Sequence, residues 1–373
     1  MSGISIDVTD PDELARKMRR YEHLLPPMSA EMEAKLLSES GAPGSAETGD
    51  APIAARLAAP ALPRPVWPKL SPSQARDRAL GCFLGLAVGD AVGTTVEFKR
   101  RDSLPPVTDM TGGGPFKLQP GEWTDDTTMA LCLADSLLAA GAVDQQDLMT
   151  RLRGWLERGE NTIPGRCFDI GSTTRTAIER FIADGNPSAG SEAGTSAGNG
   201  SLVRLAPLAI FYAGNAEEAR FEARKQSRTT HATQECLEAC ALFVSQLLDA
   251  LAGADKDAAT HQRVMALTAK LLFISGGDWK TKTREEIKSS GYVVHTLEAA
   301  LWSVWQTDNF RDAVLTAVNL GDDADSVGAV AGQLAGALYG ASGIPPEWLA
   351  KLAWRDKIER LANHLFDRNK AGG

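Results

Sequence analysis

The chain has 373 residues, with 48 acidic against 39 basic side chains and a formal charge of -9 at pH 7. That length can bury a large core and suggests two or three domains, although a helical enzyme of this size can be a single unit. The acidic balance, with no basic tract able to follow a phosphate backbone, argues against nucleic acid as a partner.

Residues 1 to 72 form an N-terminal extension that differs from the rest. Two short amphipathic helices are predicted, Asp12 to Leu25 and Ser29 to Leu37, followed by "SGAPGSAETGDAP" and "APALPRPVWPK". The latter part reads as disordered or extended linker, because Pro, Gly, Ala and Ser bury too little apolar surface to offset ordering entropy. The first residues are polar and acidic where a signal peptide needs a basic start and an apolar core, so no export is expected. Five cysteines, at 82, 132, 167, 236 and 240, form no CxxC pair and read as reduced thiols of a cytoplasmic protein. Cys236 and Cys240 share a helix face, but no further thiol or suitably spaced His completes a metal site.

From residue 73 to 373 the pattern becomes long, Ala- and Leu-rich periodic segments. They cover 74–92, 126–141, 145–157, 173–183, 200–213, 216–226, 233–252, 257–273, 293–306, 310–319, 326–341 and 347–369. Alternating Val/Ile/Thr runs are nearly absent, so an all-α domain is predicted. Residues 327–344 come closest to a membrane span, yet half the run is Gly or Ala and aspartates sit at its mouth. A buried helix is expected there, and no membrane association.

Two of these helices begin on clustered acids. "GEWTDDTTMALCLADSLL" (121–138) sets Asp125 and Asp126 at the mouth of an apolar helix, and "GDDADSVGAVAGQLAGALYG" (321–340) repeats the design with Asp322, Asp323 and Asp325. Either alone reads as helix capping, which carboxylates favour through the free N–H groups and the dipole. If the two ends met, their carboxylates would raise one another's pKa, and a divalent cation would remove the conflict. Carboxylates with Thr and Ser hydroxyls make a hard oxygen set suited to Mg²⁺ or Mn²⁺, and their number allows two ions. Hydrolysis is the natural reaction class, with phosphoester and glycosidic bonds both open.

The order of motifs then narrows the choice. "GCFLGLAVGDAVGTTVEF" (81–98), "WTDDTTMALCLADSL" (123–137), "GRCFDIGSTT" (165–174), "GNGSLVRLAPLAIFY" (198–212), "TTHAT" (229–233), "GYVVHTLEAALW" (291–302) and "LGDDADSVGAVAGQLAGALYG" (320–340) together resemble the ADP-ribosylglycohydrolase family. The resemblance implies an all-α, multi-helix fold with a binuclear magnesium (or manganese) site. Thr124, Asp125 and Asp126 would supply one half, and Asp323, Asp325 and Ser326 the other. It implies catalytic roles for Glu97, Asp125, Asp126 and Asp323, and substrate contacts from Ser196, Gly198, Asn199, Gly200, Ser201, His231 and Tyr292. The family commonly has a small residue at Asp322, leaving that side chain as an outer acceptor or a cap, and another residue at Ala197. Asp90, inside an apolar helix, must find polar partners. His295 reads either as a pocket residue or as a satisfied core histidine.

The activity implied is metal-dependent removal of mono-ADP-ribose from modified side chains, arginine foremost, in an ADP-ribosylated protein substrate. Some bacterial relatives resemble immunity proteins, so residues 1–72 are expected to dock on and block a cognate ADP-ribosyltransferase toxin. The alternatives are a metal-dependent phosphohydrolase and a non-catalytic ADP-ribose-binding or inhibitory module.

Overall fold

The computed structural model describes residues 69–261 and 268–371, and among these the chain is all α, with isolated bridges in place of strands. In chain order the helices are α1 (Pro72–Gly93), α2 (Asp125–Ala140), α3 (Gln145–Arg158), α4 (Ser172–Asp184), α5 (Ala206–Phe211), α6 (Ala216–Ser227), α7 (Gln234–Ala252), α8 (Lys256–Ala259), α9 (Ala269–Gly276), α10 (Val293–Trp305), α11 (Phe310–Val318), α12 (Ala324–Tyr339), α13 (Pro346–Lys351) and α14 (Arg355–Ala371). Helix α9 falls in a separate compact unit and ends at Gly277, whose φ of 83° suits glycine. The two helices expected before residue 40, and the linker after them, lie outside the described residues.

The main unit is organised on one helix pair. Helix α1 starts on a capping box, in which Gln74 N donates to Ser71 Oγ and Ser71 N donates to Gln74 Oε1, with Pro72 in the first turn. Every residue from Gly81 to Gly93 is buried. Helix α12 is buried from Ala324 to Leu338. The two run antiparallel at backbone contact: a Cβ added to Gly81, Gly85 or Gly89 would lie 2.3, 2.2 or 2.0 Å from the carbonyl oxygens of Gly336, Gly332 and Gly328. Glycine every fourth residue makes a flat stripe on each helix, so the backbones close where side chains would otherwise stand. Phe83, Leu84 and Leu86 of α1, buried in the surrounding core, each stabilise the fold by about 1.5–3 kcal/mol. Helices α10 and α11 cover α12, and α14 packs on α1.

Among the described residues, the helix long and apolar enough to cross a membrane is Pro72–Val96 rather than the 327–344 segment, and 89% of its most apolar window is buried inside the fold. Its apolar character is that of a core helix.

Three expected helices differ in extent. The 200–213 segment is helical only over α5, because Pro207 lacks the N–H that would tie it to residue 203. The 347–369 segment breaks into α13 and α14 at Trp354, which adopts φ 55°. There Ala353 N donates to Gly121 O at 2.9 Å and Ala353 O accepts from Trp123 Nε1 at 3.1 Å, drawing the backbone out of helical register. The 257–273 segment contains α8 and α9, with 262–267 outside the described residues.

Candidate active site

The antiparallel glycine seam brings the C-terminal end of α1 to the N-terminus of α12, and that junction carries the acids. A Cβ on Gly93 would meet Ala324 O at 2.4 Å, so Glu97, four residues on, reaches the same place as Asp323 and Asp325. Helix α2 is fixed there by Asp90. Its Oδ1 accepts from Thr124 N and Thr124 Oγ1, both at 2.9 Å; its Oδ2 accepts from Thr127 N at 3.0 Å and Thr127 Oγ1 at 2.6 Å. Asp90 thus caps a helix on a different element, which frees the α2 N-cap, Thr124, from capping its own turn. Thr124 Oγ1 also lies 3.2 Å from Asp325 Oδ2, joining two acid-rich segments 201 positions apart.

Asp323 is the N-cap of α12 but makes no side-chain cap. Its Oδ2 accepts instead from Asn199 Nδ2 at 2.6 Å, and its N–H donates to Ser289 O. Asn199 in turn donates to Thr296 Oγ1 at 2.9 Å, and its N–H donates to Gly291 O at 3.1 Å. The loop carrying Gly198, Asn199 and Gly200 is therefore tied directly to the acidic helix end.

These residues surround a cavity of about 450 Å³, lined among others by Glu97, Asp125, Asp126, Gly198, Asn199, Gly200, His231, Asp323, Asp325 and Ser326. Of the other residues expected at the site, Thr124 is buried just beneath the carboxylates. Ser201 is also buried below the wall, accepting from Ser227 Oγ at 2.8 Å. Ser196 sits in a short 3-10 turn, and Tyr292 caps α10 and donates to Glu235 Oε2 at 2.6 Å. Neither lines the cavity. His295 Nδ1 pairs with Ser290 Oγ at 2.8 Å, consistent with a satisfied histidine. Asp322 holds an exposed left-handed conformation, φ 56°, which Asp tolerates better than most residues.

Sequence reasoning missed the whole 169–175 wall of the cavity, Gly291 and Phe98. Asp169, inside the quoted "GRCFDIGSTT", lies at φ 58° and places a carboxylate oxygen within 4.8 Å of ligand atoms of Glu97 and Asp325. An aspartate in a loop gives no periodic signal, so only its position inside a motif marked it. Phe98 lines the cavity, is 64% exposed and sits at φ 58°. Its N–H donates to Asp322 O and Lys99 O accepts from Asp322 N, both at 2.7 Å, which holds two left-handed residues against each other.

The electrostatics follow from burial of like charges. Burial first, and neighbouring carboxylates second, push Asp125 and Asp126 well above the ordinary carboxylate range and Glu97 and Asp169 likewise. Glu97, Asp169 and Asp325 bring carboxylate oxygens within 4.8 Å of one another, so their repulsion is direct. Glu97 Oε2, Asp126 Oδ2, Asp169 Oδ2 and Asp325 Oδ1 are buried with no hydrogen-bond partner among the described residues. Orphaned acceptors of this kind cost about 1–3 kcal/mol each or more. The donor set is all oxygen, so the residues fit one or more hard cations.

A helical fold whose distant helix ends gather carboxylates around one cavity has the oxygen donor set of a metal-assisted hydrolase. The chain belongs to the ADP-ribosylglycohydrolase family, which it matches over residues 71–372. It is 48% identical to ADP-ribosylarginine hydrolase Tri1 of Pseudomonas putida (strain GB-1), over 97% of this chain and 96% of that protein. It is 36% identical to ADP-ribosyl-[dinitrogen reductase] glycohydrolase of Rhodospirillum rubrum, over 78% of this chain and 95% of the relative. A solved structure described as an ADP-ribosylglycohydrolase-related protein complex superposes with a TM-score of 0.72 at 44% identity, covering 80% of this chain and 99% of that one.

Proposed function

We propose that this chain hydrolyses the bond between ribose and the side-chain nitrogen of ADP-ribosylated arginine, using a divalent-metal site. The observation that carries it is the set of orphaned buried carboxylate oxygens at one end of a cavity whose other wall is a glycine loop. The printed activity of the Pseudomonas relative, at 48% identity across nearly the whole chain, supports arginine as the linkage. Thr124, Asp125, Asp126, Asp323, Asp325 and Ser326 would hold two Mg²⁺ or Mn²⁺, with Asp169 and Glu97 beside them. Bound there, the ions would supply hydroxyl orientation and water polarisation.

The protein groups do the rest. Gly198 and Gly200 present backbone without side chains, and the Asn199 side chain is turned to Asp323 and Thr296, so a diphosphate can approach the loop closely. Glu97 and Asp169 line the cavity with their carboxylates close together, so either is placed to accept a proton from water. As the guanidine departs, positive charge grows at the anomeric carbon, and the carboxylates of Asp125, Asp126 and Asp323 favour it electrostatically.

Residues 1–72 carry the second part of the proposal, docking on and blocking a transferase toxin. The Pseudomonas relative matches 97% of this chain, whereas the Rhodospirillum one matches 78% of it while spending 95% of its own length. That difference in coverage supports reading the extension as an addition to the shared catalytic domain.

The test is incubation with a protein bearing arginine-linked ADP-ribose, with and without EDTA. Release of ADP-ribose that stops on chelation is expected; release unaffected by exhaustive chelation contradicts the metal mechanism, and no release contradicts the activity. Deleting 1–68, which spares the Ser71 cap, should leave turnover intact and abolish binding to the cognate toxin.

A further inference from the structure

Arg204 is fully buried outside the cavity lining, and its hydrogen-bond partners among the described residues are Gln226, Met129, Thr229 and Thr230, with no carboxylate. Its Nε donates to Gln226 Oε1 at 2.8 Å, and its Nη2 reaches Gln226 O, Thr229 Oγ1 and Thr230 Oγ1 at 3.0, 3.1 and 3.0 Å. A guanidinium donates only, so both threonine hydroxyls must accept from it and direct their own protons elsewhere. Thr229 sends its proton to Gln226 O at 2.6 Å. Thr230 lies 2.8 Å from His231 Nδ1, the one acceptor it has among the described residues. Were Nδ1 protonated, two donors would converge on the Thr230 oxygen and its hydroxyl proton would be stranded in the interior. Nδ1 is therefore the acceptor, and the ring proton sits on Nε2.

His231 is only 2% exposed, yet it lines the cavity. Its Nε2 has no hydrogen-bond partner among the described residues. It lies against the glycine loop: a Cβ on Gly198 would stand 3.2 Å from Nε2, and one on Gly200 would stand 2.9 Å from Cε1. Side chains at those positions would cover the ring edge.

We propose that Arg204 acts through Thr230 as a positioning residue, fixing His231 as a neutral imidazole whose Nε2–H is aimed across the glycine loop at a diphosphate oxygen of the sugar nucleotide. The proposal deepens the function above, since it takes the nucleotide as ligand. The buried cation polarises the relay toward the cavity, which strengthens the terminal donor. Burial first, and the Arg204 charge second, push the His231 pKa down to about 3, so the ring stays neutral beside the acids. A neutral donor can grip an anionic oxygen without forming an ion pair with the carboxylates the reaction needs.

The experiment uses the full chain with ¹⁵N-labelled histidine and calorimetry with ADP-ribose, ADP and adenosine. In the wild type, imidazole nitrogen shifts should show a protonated Nε2 and a bare Nδ1; a proton on Nδ1 overturns the proposal without any variant. Thr230→Val should scramble the ring tautomer and weaken ADP-ribose and ADP alike, by about 10-fold or more for a hydrogen bond to a charged group. Adenosine binding should not move, KM should rise more than kcat falls, and Thr230→Ser should restore both. Unchanged affinity, or a loss confined to ADP-ribose with ADP unaffected, overturns the diphosphate assignment. If the wild type binds no ADP-ribose, the functional reading falls, while the tautomer measurement still decides the relay.

Discussion

Thr124 Oγ1 lies 3.2 Å from Asp325 Oδ2 and 2.9 Å from Asp90 Oδ1, so one hydroxyl proton faces two carboxylates from different helices. It can serve only one at a time. Asp90 is also held by Thr127, whereas Asp325 Oδ1 has no hydrogen-bond partner among the described residues. Thr124→Val should therefore cost more than a hydrogen bond, lowering metal affinity by about 10- to 100-fold. Thr124→Ser should retain the wild-type value, and titration of the chelated protein with Mg²⁺ or Mn²⁺ compares them.

Asp125→Ala and Asp323→Ala should each reduce ADP-ribose release by more than about 100-fold, beyond the usual range for residues outside the ligand shell. The same changes should raise the melting temperature of the chelated protein, because each removes a buried carboxylate that others repel. Activity lost together with stability would point to misfolding in place of a missing catalytic group.

The pH dependence of the chelated protein has a definite sign. Burial first, then neighbouring acids, raises Asp90 and Asp323 to about 7; burial raises Asp325 to about 6. The folded state thus holds protons that the unfolded chain, with carboxylates near about 4, has released. Stability is fully present below that value and declines as pH climbs through 6 to 7. Thermal melts from pH 4.5 to 8 in EDTA should show this fall, and added divalent metal should rescue most at the alkaline end.

Gly89→Ala should destabilise the protein by about 1–3 kcal/mol or more, since its Cβ would lie 2.0 Å from a backbone oxygen that cannot rotate away. It should also reduce turnover by displacing the start of α12. A control at Gly113 is informative: an added Cβ there meets nothing within 4 Å, so any cost reflects its φ of 94° alone. Urea denaturation and the release assay measure both.

Asp90→Asn keeps the shape but replaces an acceptor oxygen with an amide that faces donors. Of the four donors on Asp90, those on one oxygen lose their partner, at a cost of about 1–3 kcal/mol per buried group. Thr127→Val, which removes one of the four, should lose less, and chemical denaturation ranks the two.

Much was legible along the chain. The 3.6-residue periodicity gave an all-α protein, and most helices fall where it placed them, because a buried stripe must recur at the helical repeat wherever it packs. The Asp125–Asp126 and Asp323–Asp325 clusters announced themselves because charge at the mouth of an apolar helix is costly without a partner. The resemblance of seven ordered motifs then supplied the family, over the span that the family match covers.

Other features exist only in three dimensions. Asp90 reads in the sequence as an acid that must find polar partners, and tertiary contact makes it the cap of α2 from outside, a bond no local pattern encodes. Asp169 and Phe98 enter the cavity from irregular backbone at positive φ, where neither period nor propensity leaves a mark. The Arg204–Thr230–His231 relay depends on which donor meets which lone pair, so its direction follows from tertiary contact. Helical periodicity specifies which face a segment buries; which segments then meet is decided by the glycine seam between α1 and α12, and that meeting makes the site.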